Sequence, residues 1–301
     1  MQTNYLDMKP EEIMASHGKS FFWASQFFSK SQLHNVSVLY TFCRFIDDLA
    51  DENKPEVAEV ELLKISTQIK GHIDHPFIQK VVSLGVEIEY INELIDGALF
   101  DARKGVINSH QELLVYCYKV AGVVGLMMCP VLGVRDKTAY AHAIDLGVGM
   151  QLTNICRDVL EDAQNNRYYL PLEELKELDI NKDLLKKTGA YYPKLSNLVK
   201  KHLMLADQYY KSGSLGFAYI PLRPRLAILI ASNLYRAIGN KIIKNDCRVL
   251  EGRTYLNKWE KLINTIWALK GIFRPSFWIK GDHDISLHIV LKGLPGVEAV
   301  L

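Results

Sequence analysis

Paired cysteines are missing from this chain. Its five cysteines, Cys43, Cys117, Cys129, Cys156 and Cys247, are odd in number and show no C-x-x-C spacing. That excludes a disulfide framework, argues against a structural zinc site and favours a reducing compartment. Charge of one sign is also missing. Lys and Arg total 36 against 34 Asp and Glu, a formal net charge of +2, so no nucleic-acid partner is expected. No uninterrupted apolar run reaches about 18 residues, which gives no membrane-spanning helix. Residues 221–238 come near it, but Arg223, Arg225 and Arg236 interrupt them. The first residues lack a basic segment followed by an apolar core, so no signal peptide is expected. Strand alternation and a G-x-G-x-x-G after a strand are absent too. What remains is a cytoplasmic, all-α protein.

What is present is helical periodicity with two polar stripes. In Gln151-Leu-Thr-Asn-Ile-Cys-Arg-Asp-Val-Leu-Glu-Asp162, residues Gln151, Asn154, Asp158 and Asp162 fall on one helix face. Leu152, Ile155, Val159 and Leu160 flank them. A helix with apolar flanks belongs in the interior, so this stripe should face a cavity. In Tyr40-Thr-Phe-Cys-Arg-Phe-Ile-Asp-Asp-Leu-Ala-Asp51, Tyr40, Arg44, Asp47 and Asp51 form a matching stripe. Enclosed carboxylates require a cation. Mg²⁺ takes oxygen ligands and is often shared between carboxylates and substrate phosphates. Two facing stripes therefore suit several ions bridging a diphosphate, with Arg44 and Arg157 on phosphate oxygens. One D-x-x-x-D alone is weak, since exposed helices carry many such pairs. Two on apolar-flanked helices, one with an added amide, favour the cavity.

The rest of the chain reads as helices around that pair. Ser29 and Gln32 have capping-box spacing and start the first stripe helix, as do Ser109 and Glu112 for a helix over 113–132. Asn165-Asn166 ends the second stripe helix. Residues 1–275 read as one domain around a central cavity, and 276–301 as a weakly structured tail.

The motifs themselves resemble the squalene/phytoene synthase family of head-to-head prenyl transferases. They are His17-Gly-Lys-Ser20-Phe-Phe, Tyr40…Arg44-Phe-Ile-Asp-Asp-Leu-Ala-Asp51, Tyr116-Cys-Tyr-Lys-Val-Ala-Gly-Val-Val-Gly125, the Gln151–Asp162 stripe and Arg167-Tyr-Tyr-Leu-Pro171. Five motifs in family order over roughly residues 15–270 make a specific match, and Leu215–Arg223 with Tyr235–Lys241 look most like the bacterial phytoene synthases. The resemblance implies the isoprenoid synthase helical fold. It implies Asp47, Asp51, Asn154 and Asp158 as Mg²⁺ ligands, Asp162 as a ligand directly or through water, and Mn²⁺ as a substitute. Asp47, Asp51, Asp158 and Asp162 would be catalytic through the metal. Arg44, Gln151, Arg157, Tyr235 and Tyr40 match residues at the diphosphates or nearby prenyl chain. His17, Gly18, Lys19 and Ser20 match the segment over the first diphosphate, with Gly18 where a serine is common. Tyr116 lies in a motif suited to the final proton transfer. Asp48 points about 100° away from Asp47 and reads as a salt-bridge partner.

The implied reaction joins two geranylgeranyl diphosphates through a cyclopropyl diphosphate to 15-cis-phytoene, with NADPH not expected. The alternative joins two farnesyl diphosphates to squalene or dehydrosqualene. A terpene cyclase or chain-elongating prenyl transferase fits less well, because the second stripe is not D-D-x-x-D. A non-catalytic scaffold would be expected to lose acidic ligands, and none is lost. Bland readings hold elsewhere. Most of Phe21, Phe22, Trp23, Phe27 and Phe28 read as core, with Phe21 and Phe27 as tunnel candidates. His72 and His75 read as an exposed pair without a third ligand. Arg223, Arg225, Lys241, Lys244 and Arg248 are a candidate basic rim for peripheral contact with the inner face of the cell membrane.

Overall fold

The computed structural model describes residues 5, 8–70 and 75–297. Among them no β-strand forms, only one isolated bridge between Val106 and Tyr168. Among the described residues fourteen α-helices run in order: α1 Pro10–His17, α2 Lys19–Ser25, α3 Lys30–Asp51, α4 Pro55–Lys70, α5 Pro76–Ser83, α6 Ile88–Ala102, α7 His110–Cys117, α8 Val123–Leu132, α9 Ala139–Gln164, α10 Leu172–Glu177, α11 Pro193–Ser214, α12 Leu222–Lys244, α13 Lys258–Leu269 and α14 Pro275–Trp278. Their apolar faces share one core that reaches from Tyr5 to Val297.

The two stripe helices start and stop for local reasons. Ser29 caps α3 by accepting from the Gln32 amide at 3.2 Å, while Gln32 Oε1 accepts from the Ser29 amide at 3.3 Å. At α7 Ser109 accepts from Glu112 N, but the Glu112 carboxylate turns to the Asn108 amide, so that box is half formed. The central helix α9 ends where Asn166 takes a left-handed φ of 60°. Glycine lets α9 press against the segment before it. A Cβ on Gly147 would stand 2.2 Å from the Ala121 carbonyl oxygen, and one on Gly125 would stand 2.2 Å from that of Ala143. Gly147 thus serves packing.

The helix expected over 113–132 is interrupted. Residues Tyr118–Gly122 widen into a π-turn between α7 and α8. Such turns recur near functional sites, and this one follows Tyr116. The stretch His110–Leu132 is long and apolar enough by composition to cross a membrane, with mean hydropathy 1.7. It belongs to the core instead: Leu113, Cys117, Tyr118, Val123, Leu126 and Met127 are fully buried.

The tail corrects its sequence reading. Residues 280–297 form a strap bound across the fold rather than a loose end. Lys280 pairs with Asp136 at 2.8 Å. Tyr209 Oη donates to the Leu287 carbonyl at 3.0 Å, and Tyr118 Oη donates to that of Pro295. His288, Leu291 and Val297 are buried. Polarity and glycine content hid this, because the partners lie 78 to 177 residues away. His72 and residues 298–301 lie outside the described residues. His75 is not an exposed ligand: its ring stacks against Phe45 and Phe77.

Candidate active site

A cavity of about 400 Å³ runs between α3, α8, α9 and α12. Its polar end is built by the two stripes. Tyr40, Arg44 and Asp47 come from α3, Gln151 and Asn154 from α9, Tyr116 from α7 and Tyr235 from α12. The cavity continues along α9 past His142 to Ala139, some 22 Å from Asn154 at 1.5 Å per residue. There Ala143, Gly213, Gly216, Phe217 and Ile220 make an apolar wall. Phe21 lines the cavity, with its ring 5.2 Å from Tyr235 and 6.5 Å from Tyr40. Phe27 packs on the core without lining the cavity.

Outside the cavity lining, Asp51 and Asp158 of the stripes sit on arginines. Asp51 pairs with Arg167 at 2.6 Å, an ion pair that joins the end of α3 to the loop after α9. Asp158 holds Arg157 by two bonds of 2.8 and 2.5 Å and Arg253 at 3.1 Å. Arg44 lies against Asp47 at 3.1 Å and also against Asp48. Asp48 is buried and accepts a hydrogen bond from Tyr5, so it is a salt-bridge partner as its helix angle implies. The His17–Ser20 segment joins α1 to α2 at the rim, outside the cavity wall. Gly18 fits flat on Tyr40, since a Cβ there would meet the phenol ring at 2.9 Å. A serine would force that ring to move.

Charge at the polar end is under-neutralised. Enclosure, then the neighbouring Asp51, push Asp47 up to about 6 against the pull of Arg44 and Arg167. Burial, then Asp158, push Asp162 up to about 8. Asn154 donates to Gln151 at 3.3 Å, but its own buried Oδ1 has no partner. An orphaned amide oxygen among repelling carboxylates is a donor set for a hard cation. Among the described residues no three of these acids converge on one point. An ion here would take one or two protein oxygens and complete its shell with water and phosphate.

One acid escaped the sequence reading. Asp101 on α6 lines the cavity beside Tyr116. It accepts hydrogen bonds from Tyr116 at 3.0 Å and Tyr169 at 2.7 Å. Burial pushes it up to about 7 in spite of both phenols. Burial, with Asp101 next, raises the Tyr116 phenol well above its ordinary range, so that group holds its proton. Arg167, Tyr169 and Arg253 were missed as well. Arg167 and Tyr169 stand in a quoted motif, but only the fold brings them to Asp51 and Asp101.

The chain is similar to known proteins. Residues 14–260 match the family model for squalene/phytoene synthase. A 15-cis-phytoene synthase of Pantoea ananas is 33% identical over 83% of this chain and 87% of its own length. A phytoene synthase of Arthrospira platensis is 30% identical over 84% of this chain and 88% of its own. A solved dehydrosqualene synthase in complex with ligand superposes with a TM-score of 0.77 at 28% identity, covering 87% of this chain and 95% of that one.

Proposed function

The chain belongs to the squalene/phytoene synthase family, an all-α prenyltransferase with the isoprenoid synthase fold, and from that premise we propose that it joins two geranylgeranyl diphosphates head to head into 15-cis-phytoene. The observation that carries this reading is a single cavity. Acid stripes and arginines stand at one end, and an apolar channel about 22 Å long runs along α9 to the other.

The family uses a divalent metal with its diphosphate substrates, and we assign Mg²⁺ here, with Mn²⁺ as a substitute. Asp47, Asp51, Asn154, Asp158 and Asp162 would hold it, and bound Mg²⁺ would offset the charge of the departing diphosphate. The protein's own part follows from its side chains. Arg44, Arg157, Arg167 and Arg253 occupy carboxylates in the free chain. Released from them, they become bidentate donors to phosphate oxygens. Phe21, Tyr40 and Tyr235 present ring faces beside the polar end, where an allylic cation would form, and π faces stabilise such a cation. The apolar channel keeps water from that cation. Attack by the second molecule's double bond, with loss of one proton to the departed diphosphate, closes a cyclopropyl diphosphate, and departure of its diphosphate and rearrangement give the C1–C1′ linked chain. The last cation loses a proton and needs no hydride, so NADPH is not required. Tyr116 keeps its proton on Asp101, so the departed diphosphate is the better acceptor.

The test is incubation of purified protein with Mg²⁺ and geranylgeranyl or farnesyl diphosphate, with and without NADPH, followed by identification of the hydrocarbon. Phytoene without NADPH is expected. Squalene or dehydrosqualene from farnesyl diphosphate would move the assignment to the C15 branch, and no diphosphate release from either would end the enzyme reading.

We also propose that the protein works on the cytoplasmic face of the cell membrane, through α13 rather than the basic rim named above. Arg225 turns inward, donating to the Ile220, Phe277 and Ala218 carbonyls, and Lys241 is taken by Glu260. On α13, by contrast, Trp259, Leu262, Ile263, Ile266 and Trp267 are 40–74% exposed on one face. Phe273, Trp278 and Ile279 extend this patch. Lys258, Lys261, Lys270 and Arg274 are interspersed with it. An outward apolar helix face set among basic residues suits the surface of an anionic bilayer, and a water-insoluble product suits delivery there. All five cysteines are free, in keeping with a reducing compartment. Sedimentation with anionic vesicles should carry the wild type down and leave a Trp259→Glu/Trp267→Glu variant in solution. Equal sedimentation, or a vesicle-free dimer that the variant abolishes, would refute the membrane contact.

A further inference from the structure

The strap of residues 280–297 closes a second polar centre, remote from the stripes. Asp145 lies on the N-terminal half of α9 with its carboxylate wholly buried. Two imidazoles of the strap meet it. His288 Nε2 is 2.9 Å from Oδ1 and His283 Nε2 is 3.0 Å from Oδ2, and both side chains are at most 3% exposed. The pairing is incomplete. His288 donates a hydrogen bond to Oδ1, but Asp145 Oδ2 and His283 Nε2 have no hydrogen-bond partner. A sealed carboxylate oxygen and a sealed imidazole nitrogen thus face each other with no directional bond between them. Groups so placed are costly unless something else satisfies them.

We propose that Asp145, His283 and His288 bind a transition-metal ion of the Zn²⁺ class, which pins the strap to α9. The three donor atoms lie within 4.8 Å of one another, a span that one ion can bridge at its ordinary bond lengths of about 2.0–2.2 Å. Two imidazoles and one carboxylate form a set that suits Zn²⁺, whereas the all-oxygen stripes suit Mg²⁺. Three protein donors leave one position for water. Burial works against the charged form of Asp145, but the facing imidazoles outweigh it and hold the carboxyl below its usual range. The surroundings orient the strap: His142 Nε2 stands 3.2 Å from the Gly281 carbonyl, and its Nδ1 stands 3.0 Å from that of Ser212.

A second group of like composition shows the contrast. At His110, Glu174 and His202 the place of a metal is taken by an internal cation. Lys201 Nζ lies 2.8 Å from Glu174 Oε1, and His110 Nδ1 is 3.7 Å away. Neither centre touches the diphosphate machinery, so the inference stands apart from the proposed reaction.

Co²⁺ and Zn²⁺ are the probes. The purified full chain is stripped with a chelator and titrated with Co²⁺. One equivalent should produce the strong visible absorption of a four-coordinate ion, which Zn²⁺ then bleaches. Co²⁺ in an oxygen-rich six-coordinate site at the stripes absorbs only weakly. The band should vanish in a His283→Gln/His288→Gln variant and persist in His202→Gln. Absence of the band in the wild type, its survival in the double variant or its loss in His202→Gln would overturn the proposal. Should the double variant not fold, X-ray absorption on the zinc-loaded wild type and His202→Gln decides. Two imidazoles around zinc in both support the site, and an oxygen-only shell refutes it.

Discussion

The two halves of α9 handle carboxylates in opposite ways. In the N-terminal half, Asp145 is held below its ordinary range by two histidines. Glu174, on neighbouring α10, is likewise lowered to about 2: burial opposes this, but His202 and Lys201 prevail. In the C-terminal half, Asp162 is raised to about 8, as Asp47 across the cavity is to about 6. Asp145 and Glu174 are buried and Asp162 is half-buried, whereas Asp47 is exposed at the polar end of the cavity. The direction of each shift turns on whether the fold supplies the counter-charge. Where it does in full, as Lys201 and His202 do at Glu174, the acid stabilises the native state; at Asp145 the supply is partial, since its Oδ2 and His283 Nε2 have no hydrogen-bond partner. Where it does not, the fold bears a cost that a ligand must relieve, and such a deficit marks a site rather than a brace.

The largest break in this contrast is expected at Asp158. Replacing Asp158 with Ala removes a metal ligand and frees Arg157 and Arg253. Turnover should fall by about 10³-fold or more, while circular dichroism stays native. Normal activity in that variant would refute the metal assignment.

A matched pair of isosteric changes tests the contrast itself. Glu174→Gln removes an acid whose folded pKa is depressed. Its stabilisation is complete above the unfolded value of about 4.5 and is lost as pH falls toward 2. At pH 7 the variant should lose roughly 2–3 kcal/mol and about 3–5 °C of Tm, keep its turnover and show a flatter acid limb. Asp162→Asn should do the reverse. A raised acid destabilises the metal-free fold increasingly from about pH 4 to its folded value of about 8. The variant should therefore melt higher without metal at pH 7, by roughly 1–3 kcal/mol after allowing for partial solvation, yet turn over about 10–100-fold more slowly. Thermal melts and steady-state rates on both proteins read this. Shifts of the same sign would erase the distinction.

Legibility in the sequence divides along the same line. Both stripes could be read because helical spacing is local: Gln151, Asn154, Asp158 and Asp162 face one way whatever surrounds them. The resemblance added roles to the same positions. Asp101 could not be read, since it is a lone acid on α6 whose partners Tyr116 and Tyr169 lie 15 and 68 residues away. Arg253 reaches Asp158 over 95 residues for the same reason. The strap was misread because Asp145 and His283 share no periodicity. Helix existence followed from pattern, but the π-turn at Tyr118–Gly122 did not, since nothing local marks it.

Metal addition should narrow the gap between the two halves. Binding requires ionised carboxylates, so protons compete with it. With Asp47 near 6 and Asp162 near 8, apparent Mg²⁺ affinity should rise by up to about 100-fold from pH 6 to pH 8, most of it through Asp162. At one fixed Mg²⁺ concentration, 100 times the pH 8 Kd, differential scanning calorimetry should then show a larger rise in Tm at pH 8, where the stabilisation is about 2–3 kcal/mol, than at pH 6. A rise independent of pH would mean that these acids do not hold the ion.

The smallest effect is expected at the far end of the cavity, where the question is length rather than charge. Ala143 lines the apolar wall next to His142, on the side toward Asn154 and about 16 Å from it along α9. Its replacement by Phe shortens the channel and leaves the stripes, arginines and rings of the polar end in place. If the two ends act separately, ionisation persists and only the accepted chain changes. With both diphosphates supplied, the ratio of C30 to C40 hydrocarbon should rise several-fold, since each lost methylene contact is worth about 1 kcal/mol. Gas chromatography of the products measures it. An unchanged ratio with full activity would mean that the substrate chain does not reach Ala143, and the length filter would then lie nearer the rings of Phe21 and Tyr235.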